Sequence, residues 1–248
     1  MKIATIVPTA FLEETKDDDY HMALAHLVGV DPVYTKFFRR VSNEGKYVIL
    51  DNGAFEGKPH AMKELLDKAA MINADEIILP DVIKNATETI MTGFNALRAY
   101  GNLSKDKYNI MGAPQGNNIS EWVDCATTML KYWEIDCIGI PKNLNFSVGD
   151  DARELAIKHI REVLDTTKVR IHLLGCFNDP REVYRVWQYF PELRGVDSSI
   201  PYVYARDTAE LGEDIRPNAP IDFDETETSP FKLRNAIKNW KDMCHGSQ

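Results

Sequence analysis

Paired cysteines, long apolar runs and an excess of positive charge are all missing from this 248-residue sequence. Its four cysteines, Cys125, Cys137, Cys176 and Cys244, lie too far apart for a CxxC-type zinc site, and two sit inside apolar strand-like runs, so they read as reduced and mostly buried. No window approaches the roughly 20 uncharged apolar residues of a membrane span. The N-terminal MKIATIVPTAFLEETKDDD has only a short apolar stretch before a run of acids, whereas a secretory signal needs a longer apolar core and a small-residue cleavage site. A cytoplasmic protein without a membrane partner is the expectation. There is no GxGxxG, Walker loop or GxSxG, so neither a nucleotide cofactor nor a serine nucleophile has support. HxH and HExxH patterns are absent too, and the six histidines are scattered.

Lys and Arg number 29 against 38 Asp and Glu, a net charge of −9, which taken whole points away from nucleic acid because phosphate binding draws on bases. The distribution weakens that inference. Residues 207–227 hold eight acids and one base, and residues 13–19 hold five acids and one base, which leaves the remainder slightly positive. What is present in quantity is core material: 44% apolar and 10% aromatic residues suffice for a folded chain of one large domain or two small ones.

Short β-branched apolar runs alternate with stretches of helical period, the signature of parallel βα units. Seven strands are expected at 2–8, 47–53, 75–81, 108–116, 137–141, 169–175 and 193–199. The run 21–30 is either a helix or an eighth strand. Helices are expected at about 59–72, 84–100, 119–133, 150–165 and 180–190, started by Pro59, by Asn118 or Ser120, and by Asp179-Pro180. A spacing of roughly 30 residues per unit suits a (β/α)8 TIM barrel better than an open doubly wound sheet. The chain then divides into a barrel core (1–200), an acidic loop (201–230) and a basic amphipathic helix (231–244), all within one domain (1–248). The helix serves as a lid closing one end of the barrel, or as a phosphate contact through Lys232, Arg234, Lys238 and Lys241.

A parallel barrel carries its chemistry at the C-terminal ends of its strands. Those ends supply Asp51-Asn52-Gly53, Pro80-Asp81, Pro114-Gln115-Gly116, Gly139, His172 to Gly175, and Asp197-Ser198-Ser199. Three are carboxylates. Each alone could cap a helix, but facing one another they suit glycosidic chemistry: one attacks the anomeric carbon, a second moves protons, and a third reads a planar heterocycle. Magnesium on Asp51 and Asp81 is a competing use. His172 and His26 read as packed, hydrogen-bonded histidines rather than ligands. Phe55 is either a stacking wall or core, and Lys142, Arg206, Lys58 and Lys84 are either phosphate contacts or solvated surface residues. Competing functions are a metal-assisted or Schiff-base enzyme on a small metabolite, with Lys142 as the amine, and a non-catalytic base- or nucleotide-binding protein.

In order along the chain, LDNGAFEG (50–57), LPDV (79–82), APQG (113–116), IGIPKNL (138–144), IHLLGCFNDPREV (171–183) and GVDSS (195–199) resemble segments of the tRNA-guanine transglycosylases and their DNA-modifying relatives. The resemblance implies a transglycosylase-like barrel with Asp197 as nucleophile and Asp51 as acid/base. It implies base binding by Asp81, Gln115, Gly116 and the Gly139 N–H, with Phe55 stacking. The family's cysteine-rich zinc site has no counterpart, since only Cys244 and His245 lie beyond the nucleophile, and the chain is shorter than tRNA-modifying members. A compact, zinc-less, virus-encoded relative acting on DNA is implied. It would replace guanine by a free 7-deazaguanine base, without a cofactor or metal, as a homodimer or with a partner protein. If water attacks instead, the same machinery is a DNA glycosylase.

Overall fold

The computed structural model describes residues 1–101, 107–142, 144, 152–163, 169–176, 180–207 and 221–246. Eight strands, β1 (Lys2–Thr5), β2 (His21–Leu24), β3 (Val48–Asp51), β4 (Glu76–Ile78), β5 (Asn109–Gly112), β6 (Cys137–Pro141), β7 (Arg170–Leu174) and β8 (Leu193–Ser198), pair in parallel in the order β1-β8-β7-β6-β5-β4-β3-β2. From β2 onward each is followed by a helix: α1 (Pro32–Asn43), α2 (Met62–Ile72), α3 (Ala86–Gly101), α4 (Ile119–Tyr132), α5 (Ala152–Val163), α6 (Arg181–Tyr189) and α7 (Ile200–Asp207). The fold is a nearly closed (β/α)8 TIM barrel.

The strands are apolar on both faces because each face is buried. Ala4, Met22, Ile49, Ile78, Met111 and Cys137 pack together in one cluster, while Leu50, Ile77, Ile110 and Ile138, their neighbours along the strands, join the larger core that includes the helices. The run 21–30 is the missing strand and its turn. Helix α1 lies outside the expected set, although its start is well marked: Asp31 accepts hydrogen bonds from the N–H groups of Val33 and Tyr34, and Pro32 occupies the first turn.

No β1–β2 ladder is formed among the described residues, so β1 faces a seam. Two acids seal it. The Ile3 N–H donates to the Asp19 carboxylate at 2.9 Å and the Thr5 N–H to Asp18 at 2.6 Å. The last helix, α8 (Pro230–Cys244), packs in the outer ring with Leu233, Ile237, Trp240 and Cys244 buried, and its Lys241 donates to Asp18 at 2.6 Å. Arg234 pairs with Glu14 at 2.8 Å. This helix lines no part of the large cavity described below and is therefore not a lid over it; two of its four bases are spent on the 13–19 acidic run.

Residues 200–207, expected as the end of the core and the start of the acidic loop, are helical. Positions 208–220 of that loop lie outside the described residues, as does Asp179. Among the described residues no helix is long and apolar enough to cross a membrane.

Candidate functional site

A cavity of about 510 Å³ opens among the C-terminal ends of the strands. Asp51 closes β3, Asp81 and Gln115 each lie three residues past β4 and β5, Lys142 is the first residue after β6, Gly175 the first after β7, and Asp197 sits near the end of β8. All six line the cavity, with Phe55 and Lys58 from the β3–α2 loop.

Asp197, 5% exposed, is held at both oxygens. His172 Nε2 lies 3.0 Å from Oδ1, and the Gly175 N–H donates to Oδ2 at 3.2 Å. The imidazole is fully buried, which lowers its pKa against the opposing pull of the Asp197 hydrogen bond, so it is neutral. Its Nδ1 has no partner, which assigns the ring proton to Nε2, facing the carboxylate. The Tyr20 hydroxyl approaches the same Nε2 at 3.2 Å and meets the ring edge-on.

Asp51 is in a different setting. Its Oδ2 accepts the Gly53 N–H at 2.9 Å, yet burial, then the charge of Glu56, push its carboxyl well above the ordinary range. Glu56 is itself raised by burial and by Asp197, against the opposing pull of Lys142 and Lys58, and its Oε2 is buried without a hydrogen-bond partner. The loop bearing it is cinched shut: the Lys58 N–H donates to the Gly53 carbonyl at 2.9 Å and the His60 N–H to the Asn52 carbonyl at 3.2 Å. Gly53 has φ 78°, and a Cβ there would meet the Lys58 carbonyl oxygen at 2.4 Å, so only glycine permits this closure. Phe55, at the tip, is 55% exposed, so it is not core, and it lines the cavity.

Asp81 is gripped by two amides, Asn52 Nδ2 on Oδ1 and Gln115 Nε2 on Oδ2, both at 2.6 Å. Asn52 is fixed in turn by the Leu79 carbonyl and the Ala54 N–H, and Gln115 Oε1 accepts the Lys84 N–H. Burial outweighs these donors and raises the Asp81 pKa to about 6. The folded carboxyl thus keeps its proton to a higher pH than the unfolded one, which releases it near 3.8. The stability it contributes is present below about pH 4 and is lost as pH rises through about 6. Urea midpoints of the native chain are accordingly expected to fall relative to those of Asp81→Asn across that window and to run parallel above it. A difference independent of pH would mean that Asp81 is not raised.

Lys142 lies in a slot made by the next strand. Gly175 has φ 73°, and a Cβ there would come within 2.9 Å of Lys142 Cδ, so the lysine stem crosses a bare Cα. Its Nζ sits 4.6 Å from the centre of the Phe55 ring. Burial pulls its pKa below the ordinary lysine range. The Gly175 carbonyl accepts from Arg153 at 2.8 Å, and Arg153 is fully buried against Glu182.

No family model and no curated protein matches the chain. Solved structures do. Endonuclease IV from Thermus thermophilus is 8% identical, with all of both chains covered and a TM-score of 0.57. Tryptophan synthase from M. tuberculosis is 11% identical over 98% of this chain and 92% of that one, with a TM-score of 0.53. At such identities the likeness shows the fold alone.

Neither structure is a tRNA-guanine transglycosylase, and the expected membership of that family is corrected accordingly. The physical reason is that a parallel barrel gathers its strand ends at one mouth whatever its chemistry, so short fragments in register identify the mouth and not the family. The 7-deazaguanine and virus-encoded expectations rested on that resemblance and fall with it.

The placement of the expected residues is uneven. Asp51, Asp81, Gln115, Phe55, Lys142, Lys58 and Asp197 share the cavity. Four do not line it. Gly116 is packed against the first turn of α4, where a Cβ would meet the Trp122 nitrogen at 2.5 Å. Gly139 lies below the mouth, where Leu174 and Met111 fill the space over its Cα. Arg206 is engaged with Asp207 and Glu225. Lys84 contributes only its backbone N–H, to Gln115.

Two titratable lining residues, Glu56 and His26, lie outside the expected catalytic, base-binding and phosphate-binding residues. Glu56 follows Asp51 by five positions in a glycine-bounded loop, and that acid between two glycines is the signal in the sequence that marks it. His26 is pushed down to about 4, by burial first and then by Lys58 and His60. His172, expected as a packed histidine, has as its partner Asp197, 25 residues away in sequence. Among the described residues no group of three or more His, Cys, Asp or Glu is arranged to hold a metal ion.

Proposed function

We propose that the protein is an enzyme that cleaves the N-glycosidic bond of a purine nucleotide in DNA through a covalent aspartyl-glycosyl intermediate. The observation that carries this reading is the contrast between two carboxyls on one cavity. Asp197 accepts hydrogen bonds at both oxygens, whereas burial and the charge of Glu56 push the Asp51 carboxyl well above the ordinary range. Such a split suits a nucleophile paired with a proton donor.

In the proposed sequence the nucleotide leaves its stack and its base enters the barrel mouth beside Phe55. Asp81 and Gln115 present acceptor and amide groups to the base edge, and Lys58 faces a phosphate. An Asp197 oxygen attacks C1′, the bond to the base nitrogen breaks, and its electron pair leaves with the base, which takes the Asp51 proton. A second acceptor then attacks C1′, loses its proton to Asp51 and frees Asp197. With a base as acceptor the outcome is exchange, and with water it is hydrolysis. That the same barrel carries an endonuclease supports a polynucleotide at such a mouth by analogy of fold only.

The test is incubation with DNA and RNA oligonucleotides and a panel of labelled purines, scoring base release and base incorporation. Release or incorporation at purines of DNA is expected. If neither polymer loses or gains a base, the reading fails.

A further inference from the structure

The amine of Lys142 is built for a purpose that the two carboxyls leave unfilled. Its stem is laid across Gly175 Cα and its backbone N–H is tied to the Leu174 carbonyl at 2.9 Å, so the chain has little freedom until Nζ. Nζ meets the Phe55 ring, and among the described residues it forms no ion pair. The N–H of that same Gly175 holds Asp197, so the amine and the carboxylate hang from one residue and face one cavity.

We propose that Lys142 is a nucleophile toward an aldehyde, and that its substrate is the open-chain C1′ aldehyde of a deoxyribose that has lost its base. This rests on the glycosidic reading for the origin of the aldehyde. When water completes the cleavage, C1′ carries a hydroxyl. Ring opening breaks the C1′–O4′ bond, moves the hydroxyl proton to O4′ and leaves a C1′ carbonyl. The Lys142 nitrogen lone pair attacks C1′ and the adduct loses one water, so the two hydrogens of the neutral amine and the carbonyl oxygen depart together and a C1′=N bond remains. The reaction needs the free amine, and burial favours that form against the opposing pull of Asp197 and Glu56.

The experiment uses the full chain and a DNA oligonucleotide carrying a preformed abasic site, with cyanoborohydride to reduce any imine. A covalent protein–DNA adduct is expected, and peptide mapping should place it at Lys142. Lys142→Met and Lys142→Arg should each lower its yield by at least about tenfold, as loss of the attacking amine requires. The arginine variant keeps the charge and most of the stem, and circular dichroism checks that both variants fold. No adduct with the native chain, or an adduct mapped to the N-terminus or another lysine, overturns the proposal.

Because the abasic site is preformed, the result does not depend on base cleavage. Trapping on abasic DNA with no base release from intact DNA sustains Lys142 and removes the glycosidic reading; base release without trapping does the reverse. Deoxyribose 5-phosphate serves as a second probe. Trapping of that sugar at Lys142 but not of the oligonucleotide sustains the amine and overturns the polymer.

Discussion

Asp197→Asn is expected to lower single-turnover base release by about 10⁴-fold or more, the scale on which an enzyme loses its nucleophile, with the fold unchanged. The carboxamide has the shape of the carboxylate but cannot form a glycosyl ester under these conditions. It would turn one N–H₂ toward either Gly175 or His172, and donor would then face donor. The His172 tautomer relieves this by moving its proton to Nδ1 and leaving Nε2 to accept from the amide, at a cost of about 1–3 kcal/mol because the buried Nδ1–H has no acceptor. Circular dichroism should therefore stay native and the urea midpoint fall only modestly while turnover is lost. Asp51→Asn removes a proton donor instead, at a cost of about 10²–10⁴-fold. The two separate by leaving group: a base that departs without protonation should restore the Asp51 variant and leave the Asp197 variant inactive. Native-like turnover in Asp197→Asn would remove the aspartyl intermediate.

The barrel was legible because parallel strands are apolar on both faces and alternate with stretches of helical period. Caps helped less, since Asn118 starts its helix as expected whereas the helix expected from Pro59 begins at Met62 without a side-chain cap. Only four residues of the 21–30 run are strand, too few for a period to show, and the pairing of β2 with β3 is what makes it one. Strand ends named Asp51, Asp81 and Asp197 but not Glu56, because strand order and mouth position are linked in this fold and loop residues are not. Partnerships were not legible. That Asp81 would be clasped by Asn52 and Gln115, or that Asp18 and Asp19 would stand in for a missing ladder at the seam, depends on contacts between elements distant in sequence. Gly139 shows the limit in the other direction. A glycine at a strand position near the mouth suggested a backbone donor, whereas the side chains of Leu174 and Met111 claim the space and the residue serves packing.

Arg153→Met should destabilise the protein by about 3–5 kcal/mol, the cost of leaving one member of a buried ion pair alone. Arg153 is fully buried, with Nε and a terminal nitrogen on the two oxygens of Glu182 at 2.8 and 2.6 Å. Its other terminal nitrogen donates to the Gly175 carbonyl. The double variant Arg153→Met/Glu182→Leu removes the stranded charge and should recover most of the loss, with a deficit of about 1–3 kcal/mol for the unpaired carbonyl. Activity should not return with stability. Gly175 turns through a left-handed conformation that presents its N–H to Asp197 and its bare Cα to Lys142, and the arginine is what pins that turn from behind. Chemical denaturation read beside single-turnover base release separates the two roles: a double variant recovered in both would mean that the turn holds itself, whereas one recovered in stability alone places Arg153 as the residue that positions the nucleophile.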